Sequence, residues 1–189
     1  HEQEGYSNLL NLDAIVLPLD TEPCGGPLGG TYGLQPMRLL DVEEAISKTK
    51  KTSIPHNDDK PTITRTELST IILELPHREL GGKITPYDEI VKMSELCREN
   101  DVAFHCDGAR IFEAACAYDL PLSEIAKQFD SVYISFYKGV GGISGAMLLG
   151  DEAFCSEARI WLRRFGGNLY TLLPYIVSAW STVAESICG

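Results

Sequence analysis

The chain has 189 residues, of which 44% are hydrophobic and 23% are charged. This length and composition suit one globular domain with a core of its own, and they exclude a disordered tail or a small disulfide-stapled protein. Sixteen Lys and Arg against 27 Asp and Glu give a formal net charge of −11, which disfavours nucleic acid and anionic membrane surfaces as partners. The longest weakly polar stretch, residues 169–180, is too short to span a bilayer.

The cysteine content favours a reducing compartment. The six cysteines form no C-x-x-C pair, and most of them lie in apolar segments, so we expect free, buried thiols and a cytoplasmic protein. The chain begins at His1 and ends directly after an apolar helical pattern, so we expect sequence to be missing at one or both ends. The cysteines are Cys24, Cys97, Cys106, Cys116, Cys155 and Cys188.

The first third of the chain predicts one strand and one helix. The apolar run 14–19 is typical of a short strand, and the glycine-rich residues 24–33 predict a loop. A capping-box pattern, an Asp followed three residues later by a Glu, predicts a helix over residues 41–47. The polar residues 48–67 contain two prolines and predict a surface excursion.

The middle of the chain predicts two strands with a helix between them. Residues 69–75 are rich in apolar and β-branched residues, and we expect a strand covered on both faces. The helix is predicted to end at Glu99, with Thr85 as its cap and Pro86 at its first position. The next strand, residues 102–106, is predicted to end at an Asp-Gly turn, and two short helical stretches follow.

The last third predicts two further strands, over residues 132–136 and 146–149, on either side of a glycine cluster. Two helices with apolar stripes, over residues 154–165 and 173–187, close the chain. Strands that alternate with helices of these lengths predict βαβ crossovers. We therefore expect an α/β fold of three αβα layers with a mainly parallel sheet.

The candidate site residues follow the predicted strands. In such sheets ligands bind at the carboxyl ends of the strands, where this chain has His77, Asp107, Arg110 and Lys138. A lysine that enters a glycine cluster has a partly desolvated amine and room for a planar group, which suits attack on an aldehyde. A carboxylate and a lysine at the ends of successive strands suit pyridoxal phosphate, which binds lysine at its aldehyde carbon and a carboxylate at its ring nitrogen.

The same residues have simpler interpretations. Lys138 also fits a solvated loop lysine, and Asp107 fits a turn in which Arg110 pairs with it. His105, inside a strand, fits a hydrogen-bonded core histidine, and His56 lies in polar loop sequence.

Two other motifs are excluded by their context. The glycines at 139–145 do not have the G-x-G-x-x-G spacing of a dinucleotide loop, and a strand pattern follows them where a helix is needed. Ser135 and Lys138 match S-x-x-K, but the S-D-N and K-T-G elements of serine acyl-enzymes are absent.

Several segments together resemble the pyridoxal-phosphate-dependent β-eliminating lyase and threonine aldolase family. The H-x-D-G-A-R element at 105–110 and the lysine–glycine pair at 138–139 occur in the order of the family, with a helical segment between them. Residues 73–77 extend the similarity upstream, and residues 158–167 extend it downstream. The two central elements are specific in combination.

The resemblance implies a fold-type I, aminotransferase-like large domain in a lyase that cleaves a β-hydroxy-α-amino acid to glycine and an aldehyde. It implies that Lys138 and His77 are catalytic, with Lys138 bound covalently to pyridoxal phosphate and His77 near the substrate hydroxyl. Asp107 would hold the ring nitrogen, and Arg110 would bind the substrate carboxylate or the cofactor. Ser135, or its neighbour Tyr137, would contact the cofactor phosphate.

The resemblance also implies a homodimer or homotetramer that acts on a small amino acid and has no metal. Residues 1–189 would then form the later portion of the large domain, with the phosphate-loop region and the small C-terminal domain outside the chain.

Two departures from the family pattern leave alternatives open. An arginine expected after the glycine pair 166–167 is absent, and Arg78 adds a second cation beside His77. The same cofactor also supports β-elimination, racemisation or transamination. A catalytically incomplete scaffold homologue is the alternative of a different class.

Overall fold

The computed structural model describes residues 14–15, 17, 35–49 and 68–188. Six helices, a short 3-10 helix and four strands occur in these ranges. In chain order they are α1 (Leu39–Thr49), β1 (Thr70–Glu74), the 3-10 helix (Arg78–Leu80), α2 (Tyr87–Glu99), β2 (Ala103–Gly108), α3 (Ile111–Tyr118), α4 (Leu122–Ala126), β3 (Ser131–Ser135), β4 (Ala146–Gly150), α5 (Glu152–Arg164) and α6 (Leu173–Cys188).

The four strands form one sheet in the order β1-β2-β3-β4. Strands β1, β2 and β3 are parallel, and β4 is antiparallel to β3. Helix α2 connects β1 to β2, and helices α3 and α4 connect β2 to β3, as βαβ crossovers require. The predicted α/β class and the mainly parallel sheet are therefore confirmed.

The hydrophobic core lies between one face of this sheet and helices α1 to α4. The rings of Phe104 and Phe129 pack with centroids 4.6 Å apart at its centre. Burial of these side chains stabilises the strands on which the candidate site lies. The core residues include Val42, Leu73, Ile90, Phe104, Cys106, Ile111, Ala114, Ile125 and Val132.

The opposite face of the sheet is more polar and more open. Side chains alternate along β2, so His105 and Asp107 lie on the face opposite to Phe104 and Cys106. On β1 the apolar side chain of Ile72 is 59% exposed on this face. The expectation that residues 69–75 are covered on both faces is wrong for the described structure, because only alternate residues of the apolar run reach the core.

Two helix starts differ from the predicted ones because other groups satisfy the local hydrogen bonds. Helix α1 begins two residues before Asp41, whose carboxylate accepts a hydrogen bond from the backbone N–H of Arg38 at 2.9 Å. Thr85 does not cap α2, since its hydroxyl donates to the carbonyl of Met37 at 3.1 Å. Pro86 occupies the position before the first residue of α2.

The cysteines for which the structure describes a side chain are free, as expected. Cys97 and Cys106 are buried, and burial raises the pKa of Cys97 to about 11 and that of Cys106 further. Cys116 is exposed and Cys155 is half-buried, so these two do not fit the expectation of buried thiols.

Some predicted features lie outside the described residues. These are the loop at 24–33, most of the excursion at 48–67, His56 and Cys24, and the side chain of Cys188. Of the strand predicted at 14–19, only residues 14, 15 and 17 are described, and they are not in a strand.

Helices α5 and α6 carry the predicted apolar stripes but contribute little to the core. No residue of α5 is buried, and Phe165 and Trp180 are 58% and 77% exposed. In the ranges that the structure describes, none of the helices has both the length and the apolar character to cross a membrane.

Gly108 allows β2 and β3 to approach each other next to the candidate site. A Cβ at this position would lie 2.8 Å from the backbone oxygen of Tyr133 and 3.1 Å from the Cβ of Ile111. We therefore expect Gly108→Ala to lower the free energy of unfolding, measured by urea titration, by about 1–3 kcal/mol.

The control is Thr70→Ala on the exposed face of β1, which should change the free energy of unfolding by less than about 0.5 kcal/mol. Equal free energies of unfolding for the two variants would contradict the close approach at Gly108.

Candidate functional site

The carboxyl ends of β1, β2 and β3 meet at one edge of the sheet. Glu74 and Asp107 are register partners, as are Asp107 and Tyr133. The pairing continues past β1, since the backbone N–H of Leu75 donates to the carbonyl of Asp107 at 2.9 Å. Neighbouring strands lie about 4.8 Å apart. Three predicted site residues, at positions 77, 107 and 138, therefore lie at or just beyond the carboxyl ends of adjacent strands.

Asp107 lies inside β2, on the open face of the sheet, and its side chain is half-buried. Its Oδ1 accepts a hydrogen bond from the backbone N–H of Ala109 at 3.2 Å, which fixes the carboxylate. The predicted Asp-Gly turn is wrong, because Asp107 and Gly108 are both strand residues. The carboxylate is therefore fixed on the open face of the sheet.

Arg110 follows β2 at the N-terminus of helix α3. Within the described part of the chain it makes no ion pair with Asp107. The simpler interpretation, in which these two residues form a turn pair, is therefore not supported. The guanidinium remains available for an anion.

Lys138 begins a tight loop after β3. The backbone N–H of Gly142 donates to the carbonyl of Phe136 at 2.7 Å, and Gly141 has a φ of +80° that favours glycine. A Cβ at Gly139 would collide with the carboxylate of Glu113. The glycines thus hold the loop close to helix α3.

The amine of Lys138 lies beside an aromatic ring. Its Nζ is 5.8 Å from the ring centroid of Tyr137, within the range of a cation–π contact. Lys138 is half-buried, in contrast to a fully solvated loop lysine.

Ser135, the last residue of β3, is 1% exposed. Alternation along β3 places it on the same face as Ser131, whose hydroxyl is 2.7 Å from Nδ1 of His105. The Ser135 hydroxyl makes no hydrogen bond to any described residue, although it is near enough to Tyr133 to lower the pKa of that phenol slightly. A buried hydroxyl without a hydrogen bond among the described residues is uncommon, and a bound ligand can satisfy it.

Tyr133 is a candidate site residue that the sequence did not indicate. It is the register partner of Asp107, and strand alternation places it on the open face. Burial, with the phenol of Tyr137 and the charge of Asp107 in addition, raises the pKa of Tyr133 to about 12. Its phenol therefore keeps its proton at neutral pH.

His77 lies in a short turn directly after β1. Its backbone N–H donates to the carbonyl of Lys83 at 2.8 Å, and its carbonyl accepts from the N–H of Gly82 at 3.0 Å. The Nδ1 atom is buried and makes no hydrogen bond within the described ranges. Its backbone is fixed, so the ring can move only through its side-chain torsions.

His105 is a hydrogen-bonded histidine within a strand, as its position predicted. Desolvation lowers its pKa, and this effect outweighs the opposing effects of Asp107 and of Ser131. The ring is therefore neutral at physiological pH.

The lowered pKa of His105 predicts a pH dependence of stability. Above roughly pH 6.5 the ring is neutral in both states; below it the unfolded chain takes up the proton first, so the free energy of unfolding falls as the pH falls. We expect urea titrations at pH 7.5 and 5.5 to show a smaller loss of stability for His105→Gln than for the wild type. An identical loss in both proteins would contradict this assignment.

The segment after the glycine pair 166–167, where the resemblance led us to expect an arginine, contains the exposed aromatic residue Tyr170. Tyr170 follows the glycine pair at the end of α5, and its side chain is fully exposed. Tyr170 is uncharged, so it does not provide the positive charge that an arginine would provide.

Sequence comparison identifies the family. The profile described as Beta-eliminating lyase matches residues 35–183. A low-specificity L-threonine aldolase from Eremothecium gossypii is 35% identical over 169 residues, which cover 89% of this chain and 38% of that protein.

Two solved structures are similar over almost the whole chain. A putative L-allo-threonine aldolase from Listeria monocytogenes has a TM-score of 0.74 and 35% identity, covering 99% of this chain and 43% of its own. A putative aromatic amino acid beta-eliminating lyase/threonine aldolase from Exiguobacterium has a TM-score of 0.73 and 38% identity, covering 98% and 43%. The chain thus spans less than half the length of these relatives.

Proposed function

The chain belongs to the beta-eliminating lyase family, and on this basis we propose that it is part of a pyridoxal-phosphate-dependent lyase. The proposed reaction cleaves a β-hydroxy-α-amino acid, such as threonine, between Cα and Cβ to give glycine and an aldehyde. The observation that carries the proposal is the sheet edge where a fixed carboxylate, a lysine and a histidine lie at or just beyond the ends of three adjacent strands.

The described residues fit pyridoxal phosphate. Asp107 offers a fixed carboxylate for a ring nitrogen, and Lys138 offers an amine at the end of the next strand. The buried Ser135 hydroxyl, which has no partner among the described residues, can take a hydrogen bond from the cofactor or donate one to it. When bound, the cofactor supplies an electron sink for the pair released when a bond to Cα breaks.

The remaining residues are assigned to the substrate. Arg110 can bind the carboxylate of an amino acid through its guanidinium. His77 can accept the proton of the β-hydroxyl group, because an imidazole can exchange protons near neutral pH. Tyr133, with its raised pKa, serves as a neutral hydrogen-bond donor beside Asp107.

The reaction type is tested by the products. The protein is loaded with pyridoxal phosphate and incubated with threonine or serine, and glycine, aldehyde, pyruvate and ammonia are measured separately. We expect glycine and acetaldehyde in equal amounts from threonine. Pyruvate and ammonia from serine, with no glycine from threonine, would instead indicate β-elimination.

A second candidate function is that of a catalytically incomplete scaffold homologue. It is favoured by the absence of the expected arginine from the segment that contains the exposed Tyr170. This alternative predicts weak or absent binding of pyridoxal phosphate, measured by absorbance titration. Tight binding of pyridoxal phosphate without turnover of any amino acid would identify a protein that keeps the cofactor site but lacks the catalytic activity.

We also propose that the protein acts in the cytoplasm as a homodimer or homotetramer. The exposed apolar side chains of α5 and α6, such as Leu162 and Trp180, offer surface for such an assembly.

A further inference from the structure

Glu74 and His77 lie close together at the end of β1. Oε2 of Glu74 is 3.8 Å from Nδ1 of His77, the buried nitrogen that makes no hydrogen bond within the described structure. The other oxygen, Oε1, accepts a hydrogen bond from the backbone N–H of Arg78 at 3.1 Å. The turn that carries His77 therefore also fixes the carboxylate beside it.

We propose that Glu74 is a positioning residue for His77. Its carboxylate accepts a hydrogen bond from the Nδ1–H group of the imidazole, which leaves Nε2 free to take a proton from the substrate. This inference rests on the proposed function, in which His77 receives the proton of the β-hydroxyl group.

The physical argument concerns the two forms of a neutral imidazole. A neutral imidazole carries its proton on only one of its two ring nitrogens. A hydrogen-bond acceptor beside one nitrogen favours the proton there, and the other nitrogen is then free to accept a proton. The distance of 3.8 Å is longer than a hydrogen bond. Such contacts are often long without a ligand and tighten when it binds, and here a movement of about 1 Å suffices.

The surroundings make this contact effective. The side chain of His77 is 20% exposed and that of Glu74 is 31% exposed, so water screens the contact only in part. The backbone of His77 is held by hydrogen bonds to Gly82 and Lys83. The carboxylate therefore only has to orient the ring.

The proton balance of the step is complete. The O–H bond of the substrate breaks and an N–H bond forms at Nε2, while the electron pair of the O–H bond becomes the second bond of the new carbonyl group. The pair of the broken Cα–Cβ bond would be taken up by the electron sink that the cofactor supplies when bound, and the proton on Nε2 would later return to Cα of the glycine product. Glu74 stays ionised throughout and stabilises the imidazolium charge.

The first test reads the tautomer of His77 without any catalysis. Long-range ¹H–¹⁵N spectra distinguish Nδ1–H from Nε2–H imidazoles, and the signals of His77 are those missing from the spectrum of His77→Gln. We expect the Nδ1–H form in the wild type and a shift toward the Nε2–H form in Glu74→Gln. The matched control is Glu79→Gln, which removes a more exposed carboxylate from the same turn.

The second test separates positioning from structural damage. Glu74→Gln keeps an oxygen for the N–H of Arg78, and we expect kcat to fall about 10- to 100-fold, while KM and the Kd of the cofactor change less than about twofold. In the His77→Gln background the same change should cause almost no further loss. Glu79→Gln should leave kcat unchanged.

An unchanged tautomer in Glu74→Gln, or an equal loss of kcat with and without His77, would overturn the proposal. Failure of the proposed function looks different, since the wild type itself would then produce no glycine from threonine. The tautomer measurement decides the role of Glu74 in either case.

Discussion

Replacing Lys138 with alanine is expected to remove the absorbance band of bound pyridoxal phosphate and to lower kcat by more than about 1,000-fold. The amine of Lys138 is the group at the sheet edge that can attack an aldehyde carbon, and it follows the strand next to Asp107. Its loss removes the covalent link to the cofactor but leaves the sheet intact, because the side chain is outside the core.

The measurement is an absorbance titration with pyridoxal phosphate, combined with an assay for glycine. The control is Lys127→Ala, which removes an exposed lysine that is paired with Glu124 and precedes β3, whereas Lys138 follows it. It should keep both the band and the activity. A full absorbance band in the Lys138→Ala protein would show that another lysine holds the cofactor.

Replacing Asp107 with asparagine is expected to lower kcat by about 100-fold or more. Asparagine has the same shape and keeps an oxygen for the N–H of Ala109, so the end of β2 should not change. Asparagine lacks the negative charge that favours a protonated ring nitrogen. A cofactor whose ring nitrogen is not protonated accepts electrons from Cα less readily.

The informative readouts for this variant are kcat and the absorbance spectrum of the loaded protein. Asp101→Asn, just before the opposite end of β2, removes an equal charge away from the site and should have the wild-type kcat. Equal kcat for Asp107→Asn and Asp101→Asn would contradict the role of Asp107.

Much of the fold could be predicted because the apolar periodicity is clear. The strand before Asp107 and the helix that ends at Glu99 are bounded by polar residues and turn formers. The antiparallel direction of β4 could also have been inferred from the sequence, although it was not predicted. Residues 136–145, between β3 and β4, contain no helix, and a parallel return normally needs a crossover of a dozen residues or more.

The site was predictable only in part. The rule that ligands bind at the carboxyl ends of strands indicated Asp107 and Lys138 without any knowledge of register. Tyr133 and Glu74 could not be found in this way, because their placement beside Asp107 depends on the exact pairing of three strands. Nδ1 of His77 and Oγ of Ser135 are buried without a hydrogen-bond partner among the described residues, and this depends on packing that no local pattern encodes.

The central claim is that this sheet edge binds pyridoxal phosphate through Lys138. The most direct measurement is to load the protein with the cofactor, reduce it with borohydride, digest it and locate the modified peptide by mass spectrometry. We predict one modified residue, Lys138, in the peptide that follows β3. A modification on any other lysine, or none at all, would contradict the claim.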